Sequence, residues 1–137
     1  MSRNLDWKWI GIGVLIMAAL NIVAGLVLAP FLGPELEGAT SMEDVDLSSG
    51  QMAMLAIANF LIFVIGGYIV GVKSAGRTIL EPGLSAAAAV VLALLISRNF
   101  SIGNLIGSAL VPFLAGILGG WLGERRQDSR TAGRPEL

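Results

Sequence analysis

Cysteine and histidine are both absent from this 137-residue sequence, and only 14% of its residues are charged. Without cysteine the chain has no disulfide, no thiolate metal ligand and no cysteine nucleophile. Without histidine it lacks the side chain that most often serves as a general base or a metal ligand. These absences exclude most catalytic sites and metal centres. The sequence therefore predicts a protein that is not an enzyme and that binds no metal and no cofactor.

Long apolar runs dominate what is present. Hydrophobic residues make up 55% of the chain and the mean hydropathy is +0.78, outside the range of ordinary soluble domains. Most of them lie in runs of about 20 residues, the length that crosses roughly 30 Å of hydrocarbon as a helix. The pattern predicts an all-α integral membrane protein with a short N-terminal tail (1–8), four transmembrane helices (about 9–29, 52–72, 79–97 and 104–123), an acidic outer loop (30–51) and a disordered basic tail (124–137).

The distribution of basic residues predicts the topology. Eight of the nine Lys and Arg residues lie in the N-terminal tail, the 73–77 loop or the C-terminal tail, and Arg98 alone lies on the opposite side. The 30–51 loop carries five acidic residues and no basic residue, which is typical of a translocated loop. We therefore predict a multi-pass protein of the inner or plasma membrane with both termini in the cytoplasm. Pro30 and Pro34 are predicted to end the first span.

An internal similarity links the second and fourth spans. The 18 residues from Phe60 to Arg77 align with Phe113 to Arg130 at a constant offset of 53, and five aligned positions are identical. One interpretation is a duplication that gives two similar helical hairpins. The other is convergence, because spans that leave toward the cytoplasm share small residues, an interfacial aromatic and then basic residues. The first and third spans show no comparable match, so we favour convergence.

Glycines recur at helical spacing in the same two spans. Small residues four positions apart let two helix backbones approach closely in lipid, where apolar burial does not drive association. A phosphate-binding loop would need a GxxxxGK[ST] motif, which is absent. We predict a glycine-zipper packing role, within or between chains, for Gly67, Gly71, Gly116, Gly119, Gly120 and Gly123.

Polar residues at one depth form a second candidate site. Asn21 and Asn59 each fall seven or eight residues from the outer end of their predicted spans, about 10–12 Å deep. Pro112 lies at a similar level in the fourth span, where it frees the carbonyl of Ser108. These four residues predict either an intramembrane substrate or ion site or a simple interhelical hydrogen bond. We favour the hydrogen bond.

Glu81 is the single carboxylate placed to enter a span. It could be a proton- or cation-linked acid at the membrane edge. Alternatively it completes a capping box with Thr78, near Lys73 and Arg77. The TILE spacing of residues 78–81 favours the cap.

The leading functional hypothesis is a structural or accessory component of a membrane assembly, packed through small-residue helix faces. The alternative is a small oligomeric channel or transporter that uses the Asn21, Asn59 and Pro112 layer. Small size and a charged tail also resemble the composition of phage holins, which implies a pore former as a third hypothesis. The expected partners are the lipid bilayer and either further copies of the chain or other membrane subunits, and no nucleic acid.

Overall fold

The computed structural model describes residues 5–33, 47–74, 79–96 and 102–132. These residues form four α-helices: α1 (Trp7–Leu32), α2 (Ser49–Lys73), α3 (Leu80–Ile96) and α4 (Ile102–Ala132). The all-α prediction and the helix number are confirmed for this part of the chain. Of these helices, α1 and α2 are long and apolar enough to cross a membrane, whereas α3 is a shorter apolar helix of 17 residues. The predicted outer loop and the predicted Thr78 cap fall largely or wholly outside the described residues.

Polar side chains fix the beginnings of the first two helices. Asp6 is the N-cap of α1, and its carboxylate accepts a hydrogen bond from the backbone N–H of Trp9. At the start of α2, Ser48 and Gln51 form a reciprocal capping box, in which each side chain accepts from the other residue's backbone N–H. Such caps satisfy backbone donors that have no partner within the helix. Both helices therefore begin two or three residues before the predicted spans.

The first helix does not stop at its proline. Pro30 was predicted to end the span at residue 29, but α1 continues to Leu32 and ends at Gly33, whose φ is +65°. Proline removes one hydrogen bond and crowds the carbonyl four residues earlier, a cost that can be met near a helix end. Glycine reaches a positive φ without a Cβ clash, so Gly33 and not Pro30 ends the helix.

The fourth helix extends into the predicted tail. The prediction of a disordered segment from residue 124 is wrong for residues 124–132, which continue α4 to Ala132. Gln127 anchors this extension because its Nε2 donates to the carbonyl oxygens of Gly71 and Val72, at 2.9 and 2.6 Å. The contact satisfies carbonyls at the C-terminus of α2 that lack helical partners. Residues 133–137 lie outside the described part.

The helices pack with α1 and α4 on opposite sides of a bundle. α2 and α3 each contact the other three helices, and no contact joins the described residues of α1 and α4. α1 and α3 run in the same direction, because Asp6 meets Glu81 and Ile10 meets Ser85. α2 and α4 are also parallel to each other and run the opposite way.

Packing is much tighter in one half of the bundle than in the other. The packed half is centred on Met17, Val70, Ala86 and Ala115, whose side chains are completely buried. In the opposite half, which we call the cleft half, α1 and α3 separate and large apolar side chains are exposed, among them Ile22 and Ile96 at 66% and 83%. The candidate sites follow this division.

Candidate functional site

A cleft of about 500 Å³ opens between α1 and α3 in the cleft half. Val14, Ala18 and Ile22 of α1 form one side. Residues between Ala89 and Ile96 of α3 form the other side. Side chains from α2 and α4 lie at the back. The volume falls within the range of roughly 300–1,000 Å³ that small-molecule sites occupy.

All four residues of the predicted polar layer line this cleft. Three different helices contribute these residues to the lining of one cleft: Asn21, Asn59, Ser108 and Pro112. The amide of Asn21 donates to the carbonyl oxygen of Met17 on its own helix, at 3.0 Å. No hydrogen bond between the described Asn21 and Asn59 side chains is present, so the interhelical amide pair that we favoured does not form here. Whether the layer is a substrate or ion site stays a prediction.

Phe63 and its neighbours separate this cleft from a smaller one. Asn59, Phe63, Ser108 and Pro112 line both the 500 Å³ cleft and a second cleft of about 270 Å³ between α2 and α4. The helix backbones therefore hold Asn59 and Ser108 in a thin wall with space on each side. Because Pro112 has no N–H, the Ser108 carbonyl lacks its ordinary helical donor. This wall offers amide, hydroxyl and carbonyl groups to a guest.

The predicted glycine zipper lies in the packed half and joins helices of the same chain. A Cβ built on Gly67 would overlap Gly116 of α4, and one on Gly71 would lie 2.6 Å from the carbonyl oxygen of Gly120. From the α4 side, a Cβ on Gly119 would overlap the backbone of Val64, and one on Gly123 would lie 2.8 Å from that of Tyr68 and Val72. Backbone-to-backbone contact of this kind requires glycine, because any Cβ would push the helices apart. The packing role of all six glycines stays a prediction, which this geometry supports.

Gly116 also brings α4 against α3. A Cβ there would lie 2.6 Å from the carbonyl oxygen of Pro82 and 3.0 Å from the Ala86 Cβ. In return, Gly83 of α3 faces Phe113 and Ile117 of α4. α4 therefore presents glycine to both of its neighbours. The glycines of α4 lie at its contacts with α2 and with α3.

The internal repeat does not coincide with equivalent packing. The offset of 53 pairs Gly66 with Gly119, yet Gly66 faces Met17 of α1 whereas Gly119 faces α2. In two equivalent hairpins α1 would correspond to α3, yet α3 contacts α2 while α1 makes no contact with the described part of α4. The two-hairpin interpretation stays a prediction that the packing does not favour.

Glu81 lies at the far end of the packed half and is completely buried. One carboxylate oxygen accepts a hydrogen bond from the backbone N–H of Asp6 at 2.6 Å, and the other accepts a hydrogen bond from the hydroxyl of Ser74. Ser74 follows the last residue of α2, and Asp6 precedes the first residue of α1. A side chain in the first turn of α3 thus binds the ends of two other helices. The predicted capping box with Thr78 lies outside the described residues and stays a prediction, whereas the described contacts join Glu81 to Asp6 before α1 and to Ser74 after α2.

Ser85, one turn after Glu81, continues this contact. Its buried hydroxyl lies 2.8 Å from the carbonyl oxygen of Glu81 and 3.1 Å from that of Ile10. Gly13 leaves room for it, because a Cβ there would lie 2.5 Å from the Ser85 hydroxyl. Asp6, Ser74 and Ser85 were not predicted from the sequence as residues of this site. Asp before an apolar helix was an available N-cap signal, whereas nothing in the sequence points from Ser74 or Ser85 to their partners.

Basic and aromatic side chains lie on the surface of the bundle at the same end as Glu81. Arg126 donates to the hydroxyl of Tyr68 at 2.9 Å, and the guanidinium of Arg125 lies 3.8 Å from the centre of the Trp121 ring. One cation thus lies at the polar end of a tyrosine ring and the other over the face of an indole ring, and such aromatic side chains are typical of a membrane interface. No group of three or more acidic side chains able to hold a metal ion occurs among the described residues.

Comparison with protein-family models, with curated proteins and with solved structures finds no match in any of the three. No related protein therefore indicates a role for these residues. The chemistry available to the described residues is that of one polar-walled cleft, one glycine-packed core and one buried carboxylate that joins three helix ends.

Proposed function

We propose that the chain is a small integral membrane protein in which all four helices cross the bilayer. The observation that carries the proposal is the exposure of large apolar side chains on the outward faces of all four helices, for example Leu26 of α1, Ile57 of α2, Leu95 of α3 and Leu114 of α4. In water this surface would be costly at roughly 25 cal/mol for each Å² exposed. In hydrocarbon it is the expected surface.

The positions of the charged residues support an arrangement with both termini in the cytoplasm. Lys8, Lys73, Arg125 and Arg126 all belong to the end of the bundle where α1 begins and where α2 and α4 end. Basic residues beside helix ends favour the cytoplasmic side. The Trp121 and Tyr68 contacts at this end suit the interfacial layer.

Within the membrane, we propose a structural or accessory role in a larger assembly. The packed half argues against conduction through a single chain, because Met17, Val70, Ala86 and Ala115 fill its centre with completely buried apolar side chains. The zipper glycines already contact other helices of their own chain, so a partner would not pack against them. A partner would have to bind the remaining apolar surface, most of which lies in the cleft half.

A second candidate function is a small oligomeric channel or transporter. The observation in its favour is that Asn21, Asn59, Ser108 and Pro112 line one cleft. Polar groups at membrane depth are costly and often mark a pathway. A continuous pathway would then have to form between copies of the chain, outside the filled core.

The two candidates differ in what copurifies with the protein. We would extract the tagged protein from native membranes in mild detergent and measure the mass of the intact complex. A stoichiometric partner of different sequence supports the accessory role. A complex made only of copies of this chain contradicts it and supports the channel, which flux into liposomes would then test with Asn59→Leu.

A further inference from the structure

Polar residues line the cleft on three of its four helices, whereas the α3 wall and Ile22, which also reach the outer end, are apolar. On α1, Asn21 lies seven residues nearer the outer end than Val14. On α2, Asn59 lies four residues nearer that end than Phe63, and on α4 Ser108 lies four residues nearer than Pro112. Three helices therefore place a hydrogen-bonding residue above an apolar one. This ordering matches an amphiphile that enters with its chain toward the packed half.

The dimensions of the cleft suit one lipid-sized guest. From Val14 to Ile22 the α1 wall extends about 12 Å at 1.5 Å per residue. A volume of about 500 Å³ over that length leaves space for a single-chain molecule and its polar group, but not for a transmembrane helix, whose diameter with side chains is about 10–12 Å. The inner end is closed by the filled core around Met17.

The chemistry of the wall selects an uncharged guest. None of the described side chains that line the cleft is charged. Bringing a charged head group to this depth without an opposite charge would be costly. An amide offers both a donor and an acceptor, and the Ser108 carbonyl next to Pro112 offers another acceptor. A hydroxyl or an ester carbonyl satisfies these groups.

We propose that the cleft binds one uncharged single-chain amphiphile of the monoacylglycerol type. Its hydroxyl or ester group bonds to Asn59 and Ser108, and its chain lies along Phe63 and Val90. The inference rests on the proposed membrane placement, because the guest reaches the cleft laterally from the bilayer. It does not depend on the accessory role.

The test is photolabelling of the purified full chain in phosphatidylcholine vesicles with a monoacylglycerol that carries a diazirine in its acyl chain. We expect saturable labelling of the α1 and α3 walls, competed by unlabelled mono-octanoylglycerol and not by a lysophosphatidylglycerol of the same chain length, which has a charged head group. Ala18→Phe fills the cleft and should reduce labelling about tenfold or more. Ala19→Phe is the matched control, because Ala19 is also exposed on α1 but does not line the cleft.

A second variant tests the polar wall. Asn59→Leu should weaken the monoacylglycerol competition about five- to tenfold, the effect expected for one lost hydrogen bond. Equal labelling of the Ala18 and Ala19 variants, or equal competition by the charged lipid, would overturn the proposal. Labelling that does not saturate, or that falls outside the cleft walls, would also overturn it. Resistance to carbonate extraction tests the membrane placement separately.

Discussion

Glu81 accepts a hydrogen bond from the backbone N–H of Asp6 at 2.6 Å, although 75 residues separate the two in the chain. In an ordinary capping box, the residue three positions after the N-cap provides this acceptor. Here that residue is Trp9, which has no acceptor, and α3 supplies the carboxylate instead. The start of α1 is therefore capped by another helix. The same carboxylate accepts from Ser74 at the end of α2, so three helix ends depend on one side chain.

Removal of this carboxylate should loosen the packed half. Glu81→Ala leaves the Asp6 N–H and the Ser74 hydroxyl without this acceptor, and we expect a loss of about 1.5–3 kcal/mol in the free energy of unfolding. Glu81→Gln keeps one oxygen and should lose less. Unfolding in detergent micelles, followed by circular dichroism, measures both. Glu124→Ala is the matched control outside these contacts, and a similar loss there would show that removal of any carboxylate suffices.

The glycine contacts predict opposite results for two glycines. Gly119→Ala places a methyl group against the backbone of Val64 and Tyr68, which cannot move aside as a side chain can, so we expect a loss of about 1–3 kcal/mol. Gly11→Ala meets no atom within 4 Å and should be neutral or stabilising by up to about 1 kcal/mol. The same unfolding measurement compares them. A neutral Gly119→Ala would show that α2 and α4 pack less closely than described.

Gln127 should hold the extension of α4 against α2. Gln127→Met keeps the length of the side chain and loses the bonds to the Gly71 and Val72 carbonyls. Local opening of the extension should become about fivefold more frequent, from roughly 1 kcal/mol of lost hydrogen bonding. Limited trypsin cleavage at Arg126 reports this opening. Ser129→Ala removes only an exposed bond to the Arg125 carbonyl of the same helix and should leave the cleavage rate unchanged.

The number of helices and the common level of the polar residues could be predicted from the sequence. The four apolar runs in the sequence predicted the four helices, because a helix that is apolar on most of its surface needs an apolar run without interruption. Counting residues from the span ends placed Asn21, Asn59 and Pro112 at one depth, and they do line one cleft. Depth follows from the 1.5 Å rise alone, so this prediction needed no knowledge of which helices are neighbours.

Features that depend on neighbours could not be predicted. The sequence of the α4 extension is typical of a polar tail, and its helix is held by the hydrogen bond from Gln127 to a carbonyl oxygen of α2, which the sequence does not indicate. Glu81 carries a local capping signature, yet its partners Asp6 and Ser74 are set by how three helices meet. The glycine spacing indicated close packing without indicating whether the partner was α2, α3 or another chain. Local patterns specify a helix, whereas tertiary contacts decide where it ends and what it touches.

The most direct test of the membrane arrangement uses the absence of cysteine, because each introduced cysteine is then the only thiol. Ser49→Cys lies at the start of α2, whereas Lys8→Cys and Ser129→Cys lie at the opposite end of the bundle, and all three residues are exposed. We would treat intact cells with a membrane-impermeant maleimide before and after permeabilisation. The account predicts that Ser49→Cys reacts in intact cells and that the other two react only after permeabilisation. Reaction of Ser49→Cys and Ser129→Cys on the same side would contradict it.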